Sequence, residues 1–318
     1  MRKLATIAAL AAIGPLFPTP AWAGTPYVKE MTCPVGGKTF SHTATGSYST
    51  WGSRPDGKPY GSWIFPMPIP ECPTNRLVMF RDFEEEEIGE LTALIESDEY
   101  RALYGETTYY RAQWLADRLT DETPKPWLLM RAVWQTDEAV DKRPDYLAEF
   151  ADRAGALPLE PTDFDLVYLR FLTANAYREL SRFDEALATL DTIPLASLPQ
   201  DDDEWSWLVE HIGLLAEVIR LEDTSAEPLR LIPSNIATWQ CEDWKQKGKQ
   251  DIDPYCATLA QERAEIEGAE DRMEATADAM ETEAAIMAEA AADIEANMEA
   301  TADAMEDAGA AIEEVESS

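Results

Sequence analysis

The residues with the most definite chemistry are the four cysteines, Cys33, Cys72, Cys241 and Cys256. The run Cys33-Pro34-Val35-Gly36-Gly37-Lys38-Thr39-Phe40 has the form of half a zinc knuckle, and so has Cys72-Pro73-Thr74-Asn75. Tetrahedral structural zinc takes four soft ligands, one Cys-x-x-Cys from each of two knuckles. Gly36 and Asn75 stand at the second ligand positions, which leaves two thiolates where four are needed. No metal or other cofactor is expected. In an oxidising compartment such thiols form disulfides instead. Four cysteines allow three pairings. The local scheme, Cys33–Cys72 and Cys241–Cys256, is adopted because each pair lies within one compositionally uniform segment and neither bridge crosses the other. In the chain-entropy description the first bridge is worth about 4 kcal/mol and the second about 3 kcal/mol.

The oxidising compartment is itself an inference from residues 1–23. Arg2 and Lys3 precede an apolar run from Leu4 to Phe17, and Ala21-Trp22-Ala23 has the small-x-small form of a cleavage site. The run is short for a membrane span and is broken by Pro15, Pro18 and Pro20. This reads as a cleaved export signal, with mature protein starting near Gly24. No cysteine sits just after the cut, so no lipid anchor is expected. Export to the periplasm of a two-membrane bacterium is the localisation inferred.

Cys33-Pro34 and Cys72-Pro73, with helices downstream, resemble a family of uncharacterised bacterial proteins. These carry two N-terminal Cys-Pro-x-Cys knuckles followed by a tetratricopeptide-like region. The resemblance covers roughly residues 27–195. It implies an architecture and no reaction, and the two missing ligands depart from the family's zinc pattern.

A second resemblance is local. Residues 174–187, Ala-Asn-Ala-Tyr-Arg-Glu-Leu-Ser-Arg-Phe-Asp-Glu-Ala-Leu, resemble the core of a tetratricopeptide repeat. Ala174 lets helices approach, Tyr177 and Ala186 meet across the turn, and Phe183 packs the start of the second helix. Ser181 stands where glycine is usual, Ile193 where alanine is usual, and Pro199 comes one residue late. In such repeats the first helix turns one stripe toward a groove. Here the stripe is Tyr168, Phe171, Asn175 and Arg178, at i, i+3, i+7 and i+10. Aromatic area with an amide and a guanidinium suits an extended peptide or a carboxylate. The competing reading makes Tyr168 and Phe171 core and Arg178 a solvated helix charge.

Other chemistry is weakly signalled. His211 lies near the apolar stripe Leu208, Ile212, Leu215 and Ile219, and His42 has no cysteine or carboxylate at ligand spacing. Gly-x-Ser-x-Gly, His-Glu-x-x-His, phosphate-loop and dinucleotide motifs are absent from the sequence. Catalytic residues are therefore not assigned, and the protein is not expected to be an enzyme.

These residues need elements to hold them. Residues 24–80 are rich in glycine, proline, serine and threonine and read as a small β-containing module, with a strand over 38–45. Residues 81–240 read as antiparallel helices of a helical-repeat domain. Asp82 is the expected cap of a first helix opening on Glu84–Glu87. Ser97, Thr107, Thr123-Pro124, Pro144, Thr162 and Asp201–Asp203 mark later starts. Residues 241–256 read as a disulfide loop. Residues 257–318 read as an acidic tail, helical when packed or self-associated and otherwise frayed. One seam of its heptad register runs Ile266, Met273, Met280, Met287, Ile294, Thr301, Ala308, Val315. The other runs Glu270, Ala277, Ala284, Ala291, Met298, Met305, Ile312. The fold expected is mainly α, with an N-terminal β module and a long C-terminal helix.

The formal net charge is −35, from 61 acids against 26 lysines and arginines. Nucleic acid and anionic membrane would repel such a chain, and stable membrane insertion is not expected. A protein or peptide partner should be neutral or basic, and the tail could also self-associate. The reading adopted is an exported, non-enzymatic interaction or scaffold protein that binds its partner through the repeat groove. The alternatives are an acidic structural or divalent-cation-buffering envelope protein and a carboxylate-dependent envelope hydrolase.

Overall fold

The computed structural model describes residues 24–119, 125–199 and 202–316; in the C-terminal helix, side chains are described through residue 292 and at 295, 298 and 301. The export signal expected over 1–23 and the helix start expected at Thr123-Pro124 lie outside the described residues. So do the tail-seam side chains of Ile294, Met305, Ala308, Ile312 and Val315. The chain divides into two compact units, one ending at Ala237 and one beginning at Thr238.

The first unit begins with two small antiparallel sheets. β1 (Pro26–Thr32) pairs with β2 (Thr39–Thr45), Thr32 opposite Thr39 at the closed end. β3 (Thr50–Ser53) pairs with β4 (Pro59–Gly61) in a bulged ribbon. The alternation of 38–45 foretold β2. β1 was not foreseen, because Pro26-Tyr-Val-Lys-Glu-Met-Thr lies exposed and carries no clean alternation of burial.

Helices follow: α1 (Ile88–Glu96), α2 (Asp98–Ala102), α3 (Thr108–Ala116), α4 (Trp127–Gln135), α5 (Arg143–Gly155), α6 (Phe164–Glu179), α7 (Phe183–Asp191) and α8 (Asp203–Arg220). Ser97, Thr107, Asp163 and Asp202 each accept a backbone N–H from the first turn of the helix they open, satisfying donors that the helix leaves unpaired. The expected cap at Asp82 is not formed. A 3-10 turn over Glu85–Glu87 precedes α1, and the Glu87 carboxylate accepts the Glu84 backbone N–H at 2.9 Å. Local carboxylate geometry thus moves the helix start about two residues on.

Two hydrophobic clusters fill this unit. One joins Cys33, Cys72, Leu77 and Val78 to Leu91, Ile95, Tyr100, Ala112 and Leu115. The β module therefore has no core of its own and shares one with α1–α3 across the expected boundary at residue 80. The larger cluster is built by α4–α8, with Leu129, Phe150, Leu172, Ala174, Ala186, Leu208 and Leu215 at its centre.

The division between units falls inside α9 (Ser234–Gln246) rather than at residue 240. The second unit holds the rest of α9 and α10 (Tyr255–Glu316), a helix of 62 residues. The region expected to be a loop over 241–256 is thus half helix. Cys241 lies on α9 and Cys256 on the first turn of α10, so the bridge staples a helical hairpin. Among the described residues no helix is long and apolar enough to cross a membrane.

Candidate functional site

The cysteine turns are built alike. Cys33 N–H donates to Lys38 O at 2.9 Å, and Gly37 N–H donates back to Cys33 O at 3.2 Å. Cys72 N–H donates to Leu77 O at 2.8 Å, and Arg76 N–H donates to Cys72 O at 2.9 Å. The residue four beyond each cysteine is left-handed, Gly37 at φ 65° and Arg76 at φ 58°. The disulfide Cys33–Cys72 joins the two turns across a Cα separation of 5.7 Å, and Asn75 Nδ2 donates to Val35 O at 3.0 Å. Both sulfurs are buried. Arg111, also buried, donates to both Glu71 oxygens and to Arg76 O, locking the second turn onto α3. Cys241–Cys256 is the other bridge formed. Among the described residues no group of three or more His, Cys, Asp or Glu side chains could hold a metal ion.

The stripe on α6 does not line an open groove. Phe171, Asn175 and Arg178 are buried, and Tyr168 is half-buried. Arg178 is not the solvated charge that the competing reading made it. Its guanidinium donates to Asn175 Oδ1 at 2.8 and 3.1 Å and to Asp223 O beyond the end of α8. Asn175 passes the network on, donating to Glu179 Oε1 at 3.1 Å. Phe171 and Tyr168 stack with centroids 6.0 Å apart, in the α4–α8 core.

What covers this face is the chain's own turn between β3 and β4. Gly57, at φ +80°, lays its backbone against Tyr168 and Trp134; a Cβ there would sit 2.8 Å from the Tyr168 hydroxyl. Trp134 Nε1 donates to Asp56 O at 2.9 Å. Asp56 is fully buried between two guanidiniums, Arg54 at 3.1 Å and Arg143 at 3.1 Å. Arg143 reaches on to Glu179 Oε2 at 2.8 Å, while Arg54 and Lys58 share Asp137 at 2.9 and 2.6 Å. A continuous polar chain thus runs from Asp137 through Arg54, Asp56, Arg143, Glu179 and Asn175 to Arg178. It fills the α6 face, where a groove was expected, with a loop from the same unit.

Burial pushes the Asp56 carboxyl up, but the Arg54 and Arg143 charges and the Lys58 N–H more than offset it, so Asp56 titrates below its ordinary range. Glu179 goes the other way. Burial, its largest influence, outweighs the Arg143 charge and holds it above its ordinary value. Two carboxyls with opposed shifts invite an acid–base reading. Both oxygens of each are already engaged, however, and Arg143 stands between the two. The arrangement neutralises buried charge and docks the turn.

Sequence reading missed Arg54, Asp56, Arg143 and Glu179. The signal available was Asp56-Gly57, a turn flanked by Arg54 and Lys58. Nothing in that local pattern says which helices, more than 75 residues away, the turn will meet. The histidines are occupied modestly: His211 stacks on Trp207 at 4.1 Å, and burial lowers its titration and that of His42.

The second unit presents the opposite picture. Ile266, Met273, Met280 and Met287 succeed one another at seven-residue spacing on α10, and each is 60–67% exposed. Ala277, Ala284 and Ala291 alternate with them along the same side of the helix, also exposed. Glu267, Glu274 and Glu281 each follow a seam residue by one position. Among the described residues, ion pairing on this helix is at its start, where Arg263 bridges Glu242 and Glu267 at 2.8 Å each. Comparison of the chain with protein-family models, with curated proteins and with solved structures finds no match.

Proposed function

We propose that this is an exported, disulfide-stapled interaction protein that meets its partner through the exposed seam of α10. The observation that carries the reading is the row Ile266, Met273, Met280 and Met287, large apolar side chains held in water along one face. Exposed apolar rows of this kind mark docking faces, because each such side chain gains free energy on burial. The two disulfides fit an oxidising compartment, as the export signal over residues 1–23 requires.

The first unit is then the scaffold. Its α6–α7 hairpin has tetratricopeptide-like features: buried Ala174 and Ala186, and a left-handed Ser181 where that repeat favours glycine. Arg182 N–H donates to Tyr177 O and Ser181 N–H to Arg178 O, closing α6. Glu222, at φ 54°, closes α8 in the same way, with Asp223 N–H on Val218 O. The cysteine turns are read as a degenerate knuckle pair in which a bridge replaces the metal. Binding of a peptide to the α6 face would require the Arg54–Lys58 turn to leave, exposing Asp56 and Arg143 unpaired.

The test is photo-crosslinking in intact envelope from a benzophenone side chain replacing Ala284. A discrete adduct is expected, and it should disappear in the Met273→Gln, Met280→Gln double variant. No adduct, or one indifferent to the double substitution, would refute the reading.

A further inference from the structure

We infer that the Ile266–Met287 face of α10 takes a basic amphipathic helix, one whose apolar seam is flanked by lysine or arginine. The inference rests on the interaction reading above and names the partner's chemistry. Three features of the face point to it.

The first is length and texture. Ile266 to Met287 spans about 32 Å at 1.5 Å per residue, three full heptads. Large residues at one seam position alternate with Glu270, Ala277, Ala284 and Ala291 at the other, so the seam is apolar from Met273 onward and carries one carboxylate near its start. A partner helix can come close over the alanines while the methionines, flexible and polarisable, fit its side chains.

The second is charge. In a helix pair, the positions beside the seam set partner choice. Here Glu267, Glu274 and Glu281 form a row on one side of it, and Glu283 stands on the other. From Ala257 to the end there are roughly 19 acids and two bases, and beyond Arg263 the only base is Arg272. Arg263 pairs with Glu267 at 2.8 Å, and among the described residues no ion pair reaches Glu274 or Glu281; carboxylates left in this way are matched by cations on a partner.

The third is the exclusion of a second copy by the same count. Antiparallel, two α10 helices set glutamate against glutamate; parallel, they set Glu267, Glu274 and Glu281 against Glu262, Ala269 and Thr276. Neither register supplies a cation, and two tails would bring some 34 net negative charges together. A lysine-flanked helix supplies a cation at every heptad. Anionic lipid and nucleic acid fail on the same ground.

The experiment uses the full chain and three synthetic 28-residue peptides. The first has a leucine seam with lysine on both flanks. The second has the same seam with glutamate flanks. The third has the first peptide's composition with the seam order scrambled. Binding is followed by fluorescence anisotropy, and the state of the chain alone by sedimentation.

The lysine-flanked peptide should bind one to one, at least tenfold more tightly than either other peptide. Added salt should weaken it. Met273→Gln with Met280→Gln, which leaves net charge and helicity unchanged, should weaken it at least tenfold. Equal binding of the scrambled peptide would reduce the effect to diffuse charge and overturn the inference. So would indifference to the double substitution, or a stable dimer at micromolar concentration that the double substitution dissolves. If the peptide fails while the Ala284 adduct forms and depends on the methionines, the basic helix is wrong and the interaction reading stands. If both fail, both are wrong.

Discussion

The stripe on α6 and the stripe on α10 are both faces read from a helical period, and they end in opposite conditions. On α6, Phe171, Asn175 and Arg178 are buried, and their polar atoms are engaged within one network. On α10, Ile266, Met273, Met280 and Met287 stand in water. The difference lies in what the rest of the chain offers. The α6 face carries mixed polarity, and Arg54, Asp56 and Arg143 complement it. The α10 face is flanked by carboxylates in a chain that has 61 acids and 26 lysines and arginines. A face that the chain can satisfy is closed; one that it cannot stays in water.

Substitutions in the two regions should therefore differ most in stability. Asp56→Ala leaves Arg54 and Arg143 with uncompensated buried charge, which costs about 3–5 kcal/mol. In a unit of this size that lowers the melting temperature by roughly 10 °C, measurable by calorimetry. Glu274→Ala, on the exposed flank of α10, should stay within about 0.5 kcal/mol of the parent. Equal effects would erase the contrast.

The bridges separate the units next. Replacing Cys33 and Cys72 by serine should cost about 4 kcal/mol, and replacing Cys241 and Cys256 about 3 kcal/mol. The second pair should leave the melting of the first unit unchanged, because Cys241 and Cys256 both belong to the other unit. A single transition lowered by either pair would show that the units unfold as one.

Acid should act on the closed face. Burial raises Asp56 and Asp137, but the Arg54 charge and neighbouring donors lower both further, so their folded values lie below the ordinary 3.8. Stability from these groups is present above that value and is lost as pH falls through their folded values. Glu179, held above its ordinary 4.5, contributes the opposite slope and offsets part of the loss. Glu179→Gln removes that counter-slope, so the fall in urea midpoint on acidification should steepen. An unchanged or shallower fall would contradict the assigned shifts.

Smaller effects probe the backbone. Gly57→Ala places a Cβ against Tyr168 at a left-handed φ and should cost about 1–2 kcal/mol or more. Ser181→Gly and Glu222→Gly relieve left-handed φ at the ends of α6 and α8 and should each stabilise by roughly 0.5–1 kcal/mol. Destabilisation by either would mean that the side chain contributes more than its backbone costs.

Much of the local structure was legible in the sequence. Ser97, Thr107 and Asp202 cap where their side-chain oxygens predict, because a cap involves residues two or three apart. The thin heptad becomes a long helix, described to Glu316, as a run of alanine, glutamate and methionine favours. The two local cysteine pairings are the two that form. The misplaced features share a cause as well. Asp82 lost its cap to a Glu84–Glu87 contact that propensity does not rank. The loop expected at 241–256 became partly helix because Cys241 continues α9.

Element types, caps, charge excess and cysteine economy were thus determined by the sequence alone, since each depends on neighbours in the chain or on totals. Which stripe closes and which stays open was decided by tertiary structure. Arg54 and Asp56 reach Arg143 and Trp134 only after about 80 intervening residues have folded, and no local pattern encodes that meeting. The physical reason is the penalty on buried charge: Arg178, Glu179 and Asp56 can leave water only together with their partners, and that requirement draws the turn onto α6.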